Sequence, residues 1–172
     1  EIGLGVSLSG PSGDQILRQL GFAVLPVGSL GTGEVRFSAI GRPKDGLTVS
    51  LSAAAGQATL GMEGRITLQK DREPDYRLSV SSAAPDIAPY ALLFGRVLPV
   101  MAGDIDAVVD FDVNGTGSKI EVSKLTGKVA GVAVEGELAG DMEPLQGETI
   151  RRFKGSLDLD ALDLKFLSEA IL

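Results

Sequence analysis

The chain has no cysteine and no histidine among its 172 residues. Thiol nucleophiles, zinc sites built on Cys or His, and a Ser-His-Asp relay are therefore excluded within it. Aromatic residues make up only 5%, too few for a bulky globular core. Positive charge is in deficit: 16 Lys and Arg against 23 Asp and Glu give a net charge of −7. That balance argues against nucleic acid and against electrostatic attachment to anionic lipid. No run approaches the ~18 apolar residues of a spanning helix.

What remains is small and aliphatic. Apolar residues reach 44% and the mean hydropathy is +0.20, with Ala, Val, Leu and Gly supplying most of the chain. Their spacing is dominated by period two, the signature of strands with one wet and one apolar face. Val6 and Leu8 alternate with Ser7 and Ser9, and Val35 and Phe37 with Arg36 and Ser38. Leu47, Val49, Leu51 and Ala53 alternate with Thr48, Ser50 and Ser52. Met62 and Ile66, Leu78 and Val80, Val109, Phe111 and Val113, then Val134 and Leu138 continue the pattern. Gly41–Gly46 and Asn114–Ser118 have the content of hairpin turns.

Three segments break the alternation: Asp14–Gly21, Asp86–Gly95 and Asp163–Leu172. Each places apolar residues at helical spacing, and the first two end in Gly, a helix stop. They mark an internal repeat. Pro11 and Pro85 are 74 residues apart, as are Gly21 and Gly95, and the Met62-Glu63-Gly64 step precedes Val134-Glu135-Gly136 by 72. Drifting offsets are what loop insertions between fixed elements produce. The expected organisation is the end of a preceding repeat at 1–10, one repeat at 11–84, a second at 85–161 and the start of a third at 162–172, all in one structural unit. Each copy is expected to hold one short helix and about five strands. The fold class is mainly β (α+β): a curved antiparallel sheet or half-pipe. Both ends fall inside a repeat, so the chain reads as a fragment of a longer protein.

One short motif spells a cation loop. Asp110, Asp112, Asn114 and Glu121 match the D-x-D-x-N-G-x5-E pattern of a calcium-binding loop. The flanking residues read as strands where that loop needs helices, and the equivalent loop at Gly41–Gly46 has no ligand set, so the motif reads as a polar hairpin with calcium as the rival. No catalytic group or cofactor is expected, because no base is paired with a pocket.

The apolar face carries the functional potential. Val49, Leu51, Met62, Ile66, Phe111, Val113, Val134 and Leu138 are expected along it as a lipid-binding surface. Five strands span about 24 Å at sheet spacing, and one helix of ~10 Å diameter covers less than half of that. The uncovered remainder must curl on itself, dimerise or hold something apolar.

Ser9-Gly10-Pro11-Ser12-Gly13-Asp14, leading into Ile16-Leu17-Arg18-Gln19-Leu20-Gly21 and then Leu25-Pro26-Val27-Gly28, resembles the repeat of AsmA-type proteins of the bacterial envelope. So does the closing Gly155-Ser156-Leu157-Asp158-Leu159-Asp160-Ala161-Leu162-Asp163-Leu164. The resemblance spans almost the whole chain. It implies a non-enzymatic periplasmic module, tethered to the inner membrane by a segment outside this chain. Such a module would line a hydrophobic groove for phospholipid on its way between the two membranes. The implied partners are phospholipid acyl chains and further repeats of the same protein. The rival roles are a scaffold for outer-membrane protein assembly and a calcium-binding β repeat.

Overall fold

The computed structural model describes residues 1–19, 30–70, 72–93, 95, 98, 104–145 and 148–160. They form nine strands and two short helices. The strands are β1 (Ile2–Gly10), β2 (Gly33–Arg42), β3 (Gly46–Ala55), β4 (Ala58–Thr67), β5 (Asp75–Ala84), β6 (Ala107–Thr116), β7 (Lys119–Val129), β8 (Val132–Leu145) and β9 (Glu148–Leu159). Helix α1 (Gly13–Gln19) lies between β1 and β2, and α2 (Ala88–Leu93) between β5 and β6. Each strand pairs antiparallel with its successor, so the sheet is one open meander with β1 and β9 at its edges. The fold is mainly β, as the alternation predicts. Four strands follow each helix among the described residues, where the sequence suggested about five. The segment Asp163–Leu172 lies outside the described residues.

The hairpins follow from local chemistry. Gly56-Gln57 and Gly117-Ser118 are two-residue turns whose Gly has φ of 59° in each case. That is a type II′ turn, whose twist matches the flanking strands. Ala130-Gly131 joins β7 to β8 with φ of 52° and 76°, the type I′ form. Asn114, Gly115 and Thr116, expected in a turn, are strand residues. Pro144 also lies within a strand, opposite Thr149.

Register sorts the side chains. Leu4, Ala39, Val49, Gly64, Leu78, Val113, Val122, Leu138 and Gly155 form one cross-strand row. Val6, Phe37, Leu51, Met62, Val80 and Phe111 form the next. Ser, Thr, Asp, Glu, Lys and Arg dominate the opposite face. At β7 the period slips: Ser123 and Lys124 form a bulge, with Lys124 at φ 51°. The extra residue returns Leu125, Gly127 and Val129 to the apolar side.

The pairing also recurs along the chain. Ile2↔Gly41, Val6↔Phe37 and Gly10↔Gly33 in β1–β2 become Tyr76↔Gly115, Val80↔Phe111 and Ala84↔Ala107 in β5–β6, every residue 74 positions on. Gly33↔Ala55 and Ala55↔Ala58 become Ala107↔Val129 and Val129↔Val132 at the same offset.

Glycine lets neighbouring strands approach on the apolar side. A Cβ at Gly64 would stand 2.0 Å from the Arg77 carbonyl oxygen, and one at Gly127 2.1 Å from that of Val108. Tyr76 lies over Gly115 and Phe153 over Gly140, where a Cβ would sit 2.3 Å from either ring. Glycine kinks, bulges and aromatics laid over glycines are devices that bend sheets, and they fit a curved sheet here.

Both helices sit at one end of the strands. Ile16 of α1 is 3% exposed and packs over Gly10 and Gly33. Ser12 Oγ donates to Asp14, whose carboxylate also accepts from Arg18 one turn on. Asp86 Oδ1 accepts from the backbone N–H of Ala88 at 3.0 Å and of Ile105 at 3.3 Å, fixing the start of α2. Tyr90 Oη then donates to the Ala55 carbonyl at 2.6 Å, tying α2 to the end of β3. Neither helix is long and apolar enough to cross a membrane.

Candidate functional site

The eight residues expected on the apolar surface share one face. Val49 and Leu51 stand on β3, Met62 and Ile66 on β4, Phe111 and Val113 on β6, Val134 and Leu138 on β8. Strand pairing brings Leu51, Met62 and Phe111 into one row and Val49, Val113 and Leu138 into another. Val134 lies on the same side toward the helix-bearing end, beside Gly127. Ile66 lies toward the opposite end, beside Tyr76.

The same face includes residues that alternation alone did not single out as its lining. Ile2 and Leu4 extend it to the β1 edge and Phe153 to the β9 edge. Ile120, Val122, Leu125 and Val129 carry it across β7. The β7 side chains escape the alternation because the bulge breaks the period between Val122 and Leu125.

Among the described residues nothing is stacked on this face across the sheet. Beyond isolated contacts, strands touch only their sheet neighbours, and α1 touches only β1, β2 and β3. Yet Val49 is 2%, Val134 8% and Val113 9% exposed. Polar residues in the matching positions of the other face, such as Arg36, Thr48, Glu63, Arg77 and Lys128, are exposed.

Two of the open depressions on the polar face border β6. One, of about 540 Å³, is bordered by Arg77, Asn114, Lys119, Glu121, Arg152 and Lys154. The other, of about 570 Å³, is bordered by Ser50, Ser52, Glu63, Ser81 and Asp112. Within it Ser79 Oγ donates to Asp112 Oδ1 at 2.7 Å and Lys124 Nζ to Oδ2 at 2.8 Å. The Lys124 ammonium, with help from Ser79, holds the Asp112 carboxyl below its ordinary range, and Asp112 raises the lysine in turn. A carboxylate locked in its ionised form by a lysine is not poised to exchange protons near neutrality.

The calcium pattern does not assemble a loop. Asp110, Asp112 and Asn114 stand at alternate positions of β6, and Glu121 stands on β7 opposite Asn114. Gly115, which would make the sharp bend, is paired with Ile120. Among the described residues no three acidic groups converge as metal ligands.

No family model, curated protein or solved structure matches the chain.

Proposed function

We propose that the chain is a non-enzymatic module of an AsmA-like envelope protein, and that its apolar sheet face holds phospholipid acyl chains in passage between inner and outer membrane. The observation that carries this reading is an apolar face continuous over nine strands with no layer stacked on it among the described residues. Eight strand spacings extend it to about 38 Å. Each CH₂ taken from water stabilises a bound acyl chain by ~0.8 kcal/mol, so such a surface retains lipid without specific chemistry. Headgroups would remain at its rim. Tandem repetition is supported by pairings that recur 74 residues on, and a curved, half-pipe form by the glycine approaches and the bulge. Location in the periplasm, tethering to the inner membrane and continuation into further repeats rest on the sequence resemblance.

The test is to purify the chain from bacterial membranes under mild conditions and look for phospholipid by native mass spectrometry. Phospholipid is expected on the wild type and lost in Phe111→Asp. A folded Phe111→Asp variant that still carries lipid, or a lipid-free wild type, overturns the reading.

A further inference from the structure

The two ends of the strands differ in cover and in charge. At one end α1 lies on the apolar side. Gly10, Gly33 and Ala55 share that side with Leu8, Val35 and Ala53 by the period of the strand. A Cβ on Gly33 would stand 2.9 Å from Ile16 Cδ1, and one on Gly13 2.6 Å from the Ala55 Cβ. Tyr90 brings α2 to the same place by donating to the Ala55 carbonyl. Ile16, Ala84 and Ile105, all at this end, are 3%, 9% and 4% exposed. Among the described residues no helix stands at the other end.

Charge divides the same way. On the helix side of the Val6–Phe111 row, Asp104, Asp106, Asp110, Glu135, Asp158 and Asp160 stand with Arg18, Arg36 and Lys128 as the only cations among the described residues. Arg18 is held by Asp14 and Arg36 by Glu34. Glu135 stands opposite Asp158, a like-charge pair that repels. The turns Gly56-Gln57 and Ala130-Gly131 at this end carry no charge. At the helix-free end the charge is mixed, but every turn between β2 and β7 brings cations: Arg42 and Lys44, then Lys70 and Arg72, then Lys119. Asp45, Asp71 and Glu73 are beside them in sequence. Of these five cations only Arg42 forms an ion pair among the described residues. An anion is therefore repelled at the helix-bearing end and meets uncommitted cations at the other.

We propose that a phospholipid on the apolar face lies along the strands, its tails toward the helices and its phosphate at the helix-free end, held by these turn cations. The proposal rests on the lipid reading and adds the orientation to it. Length permits the arrangement. β5 has 10 residues and runs about 30 Å at ~3.3 Å per residue. The tails of one leaflet span about half of a ~30 Å hydrocarbon core. A lipid moving from strand to strand would then keep its headgroup on one rim throughout.

The absence of cysteine makes the test direct, because an introduced thiol is the chain's only one. A fluorophore is attached at Ser118→Cys, in the β6–β7 turn, or at Gln57→Cys, in the β3–β4 turn at the opposite end. The chain is loaded from phosphatidylcholine vesicles containing a lipid with a nitroxide on its headgroup, then separated from them. Quenching is expected to be roughly three times stronger at Ser118→Cys than at Gln57→Cys, since the phosphate avoids the acidic end. A nitroxide at the acyl terminus should reverse the order. Lys44→Glu with Lys119→Glu, both at exposed positions, should level the headgroup difference. Bound lipid with equal or opposite quenching overturns the orientation and leaves the apolar face as the lipid surface. A difference that survives the charge reversal overturns the role of the cations. A chain that takes up no lipid overturns the lipid reading and this inference with it.

Discussion

Val49 and Leu157 stand on the same apolar face, yet one is 2% exposed and the other 57%. Val49 has Ala39 on one side and Gly64 on the other, with rows continuing beyond both. Leu157 has Gly136 on one side and, among the described residues, no strand on the other. Exposure on this face therefore rises from the middle of the sheet to its edge. The middle strands hold the sheet together, while β1 and β9 keep apolar surface in reserve. Phe153 at 48% and Leu4 at 51% belong to that reserve.

The sharpest way to break this comparison is to place the same charge at both positions. Val49→Asp buries an unpaired carboxylate and is expected to cost about 3–5 kcal/mol, enough to unfold a domain of ordinary stability. Leu157→Asp should cost under about 1 kcal/mol, because solvent already reaches the site. Urea melts of the two variants decide it. Equal costs would mean that a layer covers the β9 edge after all. Gly64→Ala comes next. Its Cβ would meet the Arg77 carbonyl oxygen at 2.0 Å, so β4 and β5 must separate beneath Val49. The expected loss is about 2–4 kcal/mol. Gly5→Ala, on the edge strand with open space around it, should change stability by less than about 0.5 kcal/mol. Thermal melts of the pair separate close backbone approach from the general cost of replacing glycine.

The contrast between middle and edge was only half legible in the residues. Alternation in Leu47–Ala53 and Val109–Val113 marks the apolar rows because period two maps directly onto sheet faces. It cannot reveal which strands end the sheet, since β1 and β3 alternate equally well and differ only in their neighbours. The β7 rows were hidden for a local reason: Ser123 and Lys124 insert one residue and shift the phase. Alternation does not single out glycines 64, 127 and 136, while in the sheet each leaves a gap that lets the adjoining strand come close. The Asp110–Glu121 motif carried two readings. Its spelling fits a loop, but its alternate carboxylates also fit the polar side of a strand, and pairing with β5 and β7 decides for the strand.

The helix-bearing end offers a gentler probe. The Ser12 hydroxyl, and then Arg18, hold the Asp14 carboxyl below its ordinary range. A depressed folded-state value stabilises the fold above the unfolded pKa near 3.9, and that contribution is lost as pH falls through the folded value. Acid should therefore loosen α1, and by the same sign the Asp112–Lys124 contact between β6 and β7. Hydrogen exchange at Ile16 and Leu17 is expected to rise below about pH 4, and Asp14→Asn should abolish that pH dependence. Unchanged exchange at Ile16 down to pH 2 would detach α1 from Asp14.

A small gain is expected at the β7–β8 turn. Ala130 holds φ of 52° and Gly131 76°. An alanine in the left-handed region costs roughly 1–2 kcal/mol, because its Cβ crowds the following carbonyl. Asparagine tolerates that region, and Asn-Gly is the preferred pair for a type I′ turn. Ala130→Asn is therefore expected to stabilise the chain by about 0.5 kcal/mol, since only part of the strain is relieved. A small rise in Tm with an unchanged denaturant m-value would show that the gain belongs to the turn. The turn faces solvent, so the substitution should leave lipid retention as it is. A stabilised variant that lost lipid would mean that the β7–β8 hairpin takes part in the surface now assigned to the sheet alone.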